Sequence, residues 1–260
     1  MNMDGGIKLS GGSIRSFSIP NTPELPSVAQ ENLLMVKNGS IRRAKPDNVW
    51  DVVPTKPIPP GQINYANGGS FTFTVPDGVT QISVFVIGAG GGGGRGGSNR
   101  GSSYYDQVGG AGGAGGESYE NFLVVEPGET FTAIVGHGGS SDADGGNTIF
   151  RRDADNTVVT QASGGTAGED SLGMFAIGDG GPGGTGTYKT GDAGDRGESS
   201  HHNGLSYGGS SGGGSQVGII AGGGGNGGWP QSGGSPGDDG GIRIIWGEGR
   251  SFPTTNVQDV

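Results

Sequence analysis

Hydrophobic and polar positions alternate along several short stretches of the chain, and each stretch stops at a turn signal. Phe71, Phe73 and Val75 recur at every second position, Pro76-Asp77-Gly78 interrupts, and Val79, Ile82, Val84 and Val86 follow. Successive side chains of a strand point to opposite faces, so this period predicts half-buried β-strands. A second unit runs Phe122-Leu123-Val124-Val125, turns at Glu126-Pro127-Gly128, and resumes with Phe131, Ala133 and Val135. A third is Thr148-Ile149-Phe150, a polar turn at 153–156, then Val158-Val159; Ile242-Arg243-Ile244-Ile245-Trp246 is the last. Together they predict a modest β-layer.

The first 60 residues follow another pattern. Pro23 to Met35 predicts a short helix with Ser27 as N-cap, Glu31 near its first turn, and Val28, Leu33, Leu34 and Val36 on its apolar face. Arg42-Arg43 with Lys45 reads as a solvated turn. Five prolines within 46–60 predict an extended connector. Trp50, with Val49, Val52 and Val53, forms an apolar cluster on a segment too short to bury it alone. It either packs inside a small N-terminal domain or docks another chain.

Composition changes this picture most. The chain has 63 Gly among 260 residues, and 52 of them fall within 88–241. Gly plus Pro reach about 30%, a range in which disorder is the default reading. The glycine is clustered, however, at 88–97, 109–116, 136–146, 164–168, 178–186, 208–214, 222–228 and 233–241, with varied inserts between. Flexible linkers do not pause for runs such as VFVIG and IRIIW, so an ordered domain is expected. A dinucleotide loop fits Gly88, Gly90 and Gly93 after a strand, but no helix follows to seat a pyrophosphate. A calcium β-roll needs a nine-residue period that is absent. The G-X-Y run at Gly191, Gly194 and Gly197 is too short for collagen and reads as a loop.

The remaining reading is a sandwich of polyglycine II helices. Such a helix has three residues per turn and no internal hydrogen bonds, so its N–H and C=O groups must bond laterally to neighbours. Backbones approach that closely only without Cβ atoms, which makes Gly92, Gly112, Gly115, Gly181, Gly213 and Gly224 structural glycines. The expected fold is mixed: a small N-terminal attachment domain at 1–60, then at 61–260 a β-layer and a polyglycine II sandwich with protruding distal loops.

Charge and chemistry narrow the function. The chain carries a formal net charge of −10, and residues 61–260 hold eight basic against twenty acidic side chains. That balance argues against nucleic-acid binding. No Cys is present, the three His lie in polar or Gly-rich loops, and Glu169-Asp170 and Asp238-Asp239 read as solvated turns. No catalytic residue, metal site or cofactor is assigned. Neither a secretory signal nor an 18-residue apolar span is seen.

The openings FTVPDGVTQISVFVIGAGGGGG and LVVEPGETFTAIVGHGG, and the closing GGIRIIWG, resemble the glycine-rich domain of phage tail-fibre proteins. The organisation of the whole chain resembles the receptor-recognising tip adhesins of T-even-type long tail fibres. That resemblance implies a location at the distal tip of the virion's tail fibre and an N-terminal part that caps a trimeric long-tail-fibre tip protein. It implies loops that contact a bacterial outer-membrane receptor protein. If the cassettes run up and down, inserts 98–108, 169–177, 187–207, 215–221 and 229–232 gather at the tip. Candidate receptor-binding residues are then Tyr104, Tyr105, Met174, Phe175, Tyr188, His201, His202, Leu205, Tyr207 and Trp229. Aromatic side chains among Gly and Ser give contact area at low entropic cost. Candidate fibre-attachment residues are Trp50, Val49, Val52 and Val53. The alternative is a structural fibre-tip protein without a specific receptor.

Overall fold

The computed structural model describes residues 59–97, 108–171, 177–197, 220–229 and 232–253, and three short strands nearer the N-terminus. The chain divides into two units, Met1–Pro57 and Ile58–Val260.

In the first unit, β1 (Leu34–Lys37), β2 (Ser40–Arg43) and β3 (Asp51–Val52) form an antiparallel sheet in the order β1-β2-β3. This corrects the helix expected up to Met35, since Leu34-Met35-Val36 lies on a strand. The physical reason is local: Lys37 pairs with Ser40 across Asn38-Gly39, the strongest short hairpin signal, and Val36 pairs with Ile41. The rest of the expected helix lies outside the described residues. Arg42 and Arg43 belong to β2 rather than to a solvated turn, and they pair with Val52 and Asp51. Val52 therefore sits on a strand, while Trp50, Val49 and Val53 lie outside the described residues.

The second unit contains two antiparallel four-stranded sheets. One has the order β10 (Val158–Ala162), β9 (Thr148–Arg152), β8 (Thr130–Val135), β5 (Gly69–Thr74). The other has the order β4 (Gly61–Tyr65), β11 (Gly241–Trp246), β6 (Gln81–Ile87), β7 (Glu117–Val124). All the strands expected from alternation are present, and β4 is added. Its sequence GQINY carries too little apolar signal to stand out, and it is recruited as an edge by β11, with Ile63 opposite Ile244. Gly78 and Gly128 supply the positive φ angles, 79° and 83°, that the turns after Pro76-Asp77 and Pro127 require.

The two sheets face each other. Phe73, Phe131 and Phe150 from one meet Ile82, Val84, Val86, Ile242 and Ile244 from the other, all buried. The Phe131 and Phe150 rings stack at 4.9 Å with an 8° interplanar angle. Phe150→Ala is expected to cost about 3–5 kcal/mol of stability, the usual loss for a buried aromatic. Urea unfolding monitored by circular dichroism measures it, and a loss below about 1 kcal/mol would show that this stack does not seal the sandwich.

Beyond the sheets the chain forms a bundle of glycine-rich runs joined by backbone hydrogen bonds, and no helix is present among the described residues. The bonds repeat every three residues. In run 88–96, the N–H groups of Gly88, Gly91 and Gly94 donate to Gly116, Gly113 and Gly110. Those of Ala89 and Gly92 donate to Gly146 and Ala143, and those of Gly90, Gly93 and Gly96 to Asp238, Ser235 and Ser232. Its carbonyls accept with the same spacing: Ala89 and Gly92 from Gly165 and Gly168, Gly90 and Gly93 from Gly139 and Asp142, Gly91 and Gly94 from Gly225 and Gly228. This run is therefore enclosed on six sides, each side reached by one row of residues three apart.

Glycine is required by that enclosure. A Cβ built on Gly92 would meet the Ser140 backbone, and one on Gly112 the Gly91 carbonyl. Gly115 would meet Gly88, Gly181 would meet Thr166, and Gly224 would meet Gly112, every contact under 3.0 Å and with backbone. Gly213 lies outside the described residues. The stretch Gly191, Gly194, Gly197 is corrected from a loop to a run of the bundle. Its three N–H groups donate to Gly184, Gly181 and Gly178, and only this inward row is glycine.

Candidate functional site

The direction of each run follows from its bonds. Where paired residue numbers rise on one run and fall on the other, the two are antiparallel. By that criterion runs 88–96, 163–169, 189–197 and 222–228 point one way, and 109–116, 143–146, 178–185 and 232–240 the other. All junctions with strands lie at one end: Ile87 enters run 88–96, run 109–116 delivers Glu117, Ala162 leads into run 163–169, and run 232–240 leads into Gly241. We call this the near end and its opposite the far end.

At the far end the chain leaves the bundle repeatedly. Gly97 and Val108 bracket residues 98–107, Ser171 and Ile177 bracket 172–176, Gly197 precedes 198–219, and Trp229 and Ser232 bracket 230–231. The points of departure are fastened to one another by backbone. Gly96 donates to Ser232, Ser171 to Arg95, Gly178 to Val108, Gly197 to Gly178, and Gly109 to Gly228, at 2.9–3.1 Å. This fixes where the inserts begin without using any insert side chain.

Ionic contacts reinforce the same end. Arg95 pairs with Asp142, and Arg196 Nε lies 2.8 Å from Asp179. The Arg95 N–H donates to Asp170 Oδ1 at 2.7 Å. Burial, the neighbouring Asp170 carboxyl and its charge raise the Asp142 pKa, against the lowering effect of Arg95. The Arg95 and Asp179 side chains stay 64% and 63% exposed while making these contacts. Asp170, expected in a solvated turn, instead accepts from a run far away in sequence.

Asp239 is likewise no solvated turn. Its carboxylate accepts from the N–H groups of Gly68 at 2.7 Å and Gly138 at 2.8 Å. Burial opposes ionisation, but those two bonds and His137, 3.9 Å away, outweigh it and hold the pKa below the ordinary value.

The candidate receptor-binding residues divide between the two ends. Trp229 stands at the far end and is 43% exposed. Tyr188 does not join it: its ring packs on Tyr119 of β7 at 5.1 Å, beside the bridge between Glu117 and Lys189, at the near end. The reason is that 189–197 is a run of the bundle, so Tyr188 precedes that run instead of tipping it. Ile220 and Ala221, from the insert expected at the tip, also lie at the near end, where Gly222 begins its run against Gly88. Tyr104, Tyr105, Met174, Phe175, His201, His202, Leu205 and Tyr207 lie outside the described residues.

The site's architecture is thus a glycine framework that carries inserts, and this matches a known sequence family. The family described as "Glycine-rich domain" (Gly_rich_2) matches residues 66–256. The chain belongs to this glycine-rich domain family. No curated protein matches it. The match includes every strand of the two sheets except β4, and all the described runs, so the glycine-rich domain is a β-sandwich continued into a glycine bundle. Among the described residues of this domain no group of three or more His, Asp or Glu is placed to hold a metal ion. A recess of about 330 Å³ at the near end, between Asn147, Gln161, Ser163, Thr185 and Thr187, is lined by no ionisable side chain.

Proposed function

We propose that the protein is a phage tail-fibre tip adhesin. Its N-terminal part docks on the trimeric long-tail-fibre tip protein, and its inserts grip a protein of the bacterial outer membrane. The observation that carries this reading is the convergence at the far end. The described ends of inserts 98–107, 172–176 and 230–231 and the start of 198–219 meet there, held by backbone bonds. A framework that fixes the roots of loops while ignoring their sequence suits a surface whose partner changes. The aromatic residues of 98–107, 172–176 and 198–207 supply contact area on that surface.

On the same reading the runs are polyglycine II helices. Their support is the three-residue row of lateral bonds, which a helix with three residues per turn produces and a pleated strand, with its period of two, does not. The position of the protein is then the distal tip of the virion's tail fibre.

The test is capture of outer-membrane proteins by the full chain from detergent-solubilised bacterial envelopes. A single enriched membrane protein, absent from bacteria that the chain does not coat, is the expected result. Docking on fibres with no bacterial binding in any strain would leave a structural fibre-tip protein instead. Deleting residues 1–57 is expected to abolish co-sedimentation with fibres while leaving binding to bacteria within about threefold. That expectation rests on the second unit having its own buried core.

A further inference from the structure

Run 163–169 is hydrogen-bonded to runs 88–96, 109–116, 143–146 and 178–185. At its near end the recess of about 330 Å³ lies between Asn147, which follows the third of these, and Thr185 and Thr187, which close the fourth. Gln161, Ala162 and Ser163 line it from the end of β10 and the start of the run. Asn147, Gln161, Thr185 and Thr187 are exposed, so the recess is reached from solvent. Ligand pockets run from about 300 to 1,000 Å³, so there is room for one ring and little more.

Hydrogen bonds fix the walls. Asn147 Oδ1 accepts the Gly164 N–H at 3.2 Å, which leaves its amino group to donate elsewhere. Ser163 Oγ accepts the Thr185 N–H at 2.7 Å and lies 3.0 Å from Thr185 Oγ1, a hydroxyl pair in which either member donates. The Thr187 N–H donates to Ser118 Oγ at 2.9 Å, which holds Thr187 in place. Among the described residues nothing bonds the Gln161 amide or the Thr187 hydroxyl.

This set selects by what it lacks as well as by what it offers. A cation finds no carboxylate in the lining, and an anion finds no Lys, Arg or His. The N–H groups of Gly164, Thr185 and Thr187 are taken by side chains, so no backbone nest is left for a phosphate or carboxylate. An apolar ligand would strand amides and hydroxyls without partners, at a cost for each. The ligand that remains is neutral and carries neighbouring groups that each donate and accept, as the hydroxyls of a sugar ring do. We propose that this recess binds one neutral saccharide unit. The Gln161 amide and the Thr187 hydroxyl bond its hydroxyls, and the Asn147 amino group donates to it. The Ser163 and Thr185 pair turns its free hydroxyl hydrogen to suit the ligand. The site lies at the near end, away from the inserts, and does not depend on the adhesin reading.

The experiment is an NMR titration of the full chain that follows the side-chain amides of Asn147 and Gln161. The probes are the methyl glycosides of glucose, galactose, mannose and N-acetylglucosamine. At least one is expected to shift both amides saturably, with a Kd of about 1–10 mM, as a few neutral hydrogen bonds give in water. Glycerol and inorganic phosphate should give no saturable shift. Gln161→Ala and Thr187→Val each replace an exposed side chain, so folding should survive, and each should weaken binding about five- to tenfold. A soluble polysaccharide from bacterial envelopes is the second arm: binding tighter than that of any glycoside identifies a surface glycan as the source, and weaker binding a free sugar. No saturable shift with the polysaccharide or with any glycoside at about 100 mM would overturn the proposal. So would phosphate or glycerol matching the glycosides, or sugar binding unchanged in both variants. Capture of a membrane protein is not the readout, so failure here leaves the adhesin reading intact.

Discussion

Gly112→Val is expected to unfold the glycine-rich domain as a unit, with a loss above about 4 kcal/mol, the range reserved for a few specific mechanisms. A Cβ on Gly112 meets the carbonyl of Gly91, which is backbone of the enclosed central run and cannot swing aside as a side chain can. Displacing Gly91 lengthens its bonds with Gly113 and Gly225, and the next residues along the run follow because they share the same neighbours. Each buried N–H or C=O left without a partner costs about 1–3 kcal/mol. The damage therefore spreads along the row instead of staying at one contact. Gly224→Val should act alike, since its Cβ meets Gly112. Gly233→Ala is the control: only the Ser141 side chain stands near, at 3.2 Å, and it can turn away. Its cost should be under about 1 kcal/mol, as for an ordinary exposed substitution. Calorimetric unfolding of the three variants separates them, and a mild effect of Gly112→Val would show that lateral contact between runs does not hold the domain.

The same geometry explains what could be read beforehand. The strands of the sandwich were legible because Phe71, Phe73 and Val75, or Phe131, Ala133 and Val135, keep a period of two against a polar outer face. The glycine clusters were legible as a packed element because no other residue permits such close approach. What composition obscured was position within the bundle. Run 88–96, with six neighbours, is almost entirely glycine, whereas run 189–197 needs glycine only on the inward row at Gly191, Gly194 and Gly197. Glycine density thus tracks the number of neighbours, and the edge run passed for a loop because two of every three residues face outward. Run 109–116 carries the signal in its own sequence: Ala111 and Ala114 stand three apart between rows of glycine. The hairpin of β1 and β2 was missed because Leu33-Leu34 and Val36 fit a helical face. Asn38-Gly39 was the stronger local instruction.

That correction sharpens the receptor-binding expectation into a contrast between the two ends. Replacing Tyr104 and Tyr105 together with Ala is expected to weaken binding to susceptible bacteria by at least about 30-fold, the equivalent of about 2 kcal/mol for a hot-spot aromatic. Trp229→Ala, at the far end but beside a turn closed by the Ser232 N–H and the Trp229 carbonyl, should weaken it less. Tyr188→Ala should leave binding unchanged within about twofold. Its ring lies on Tyr119 beside the sheets, at the end from which the inserts do not depart. Exchanging residues 98–107 for those of a relative should change which bacteria are bound while moving the unfolding temperature by only a few degrees. The roots of that insert, Gly96 and Val108, are held through backbone to Ser232 and Gly178, and no residue within the insert enters those bonds. Fluorescent chains incubated with a panel of bacterial strains report all four variants. If Tyr188→Ala abolished binding while the Tyr104 and Tyr105 double variant retained it, the contact surface would lie at the near end, beside the sandwich. The far-end inserts would then lose their assigned role, although the glycine framework that carries them would stand unchanged.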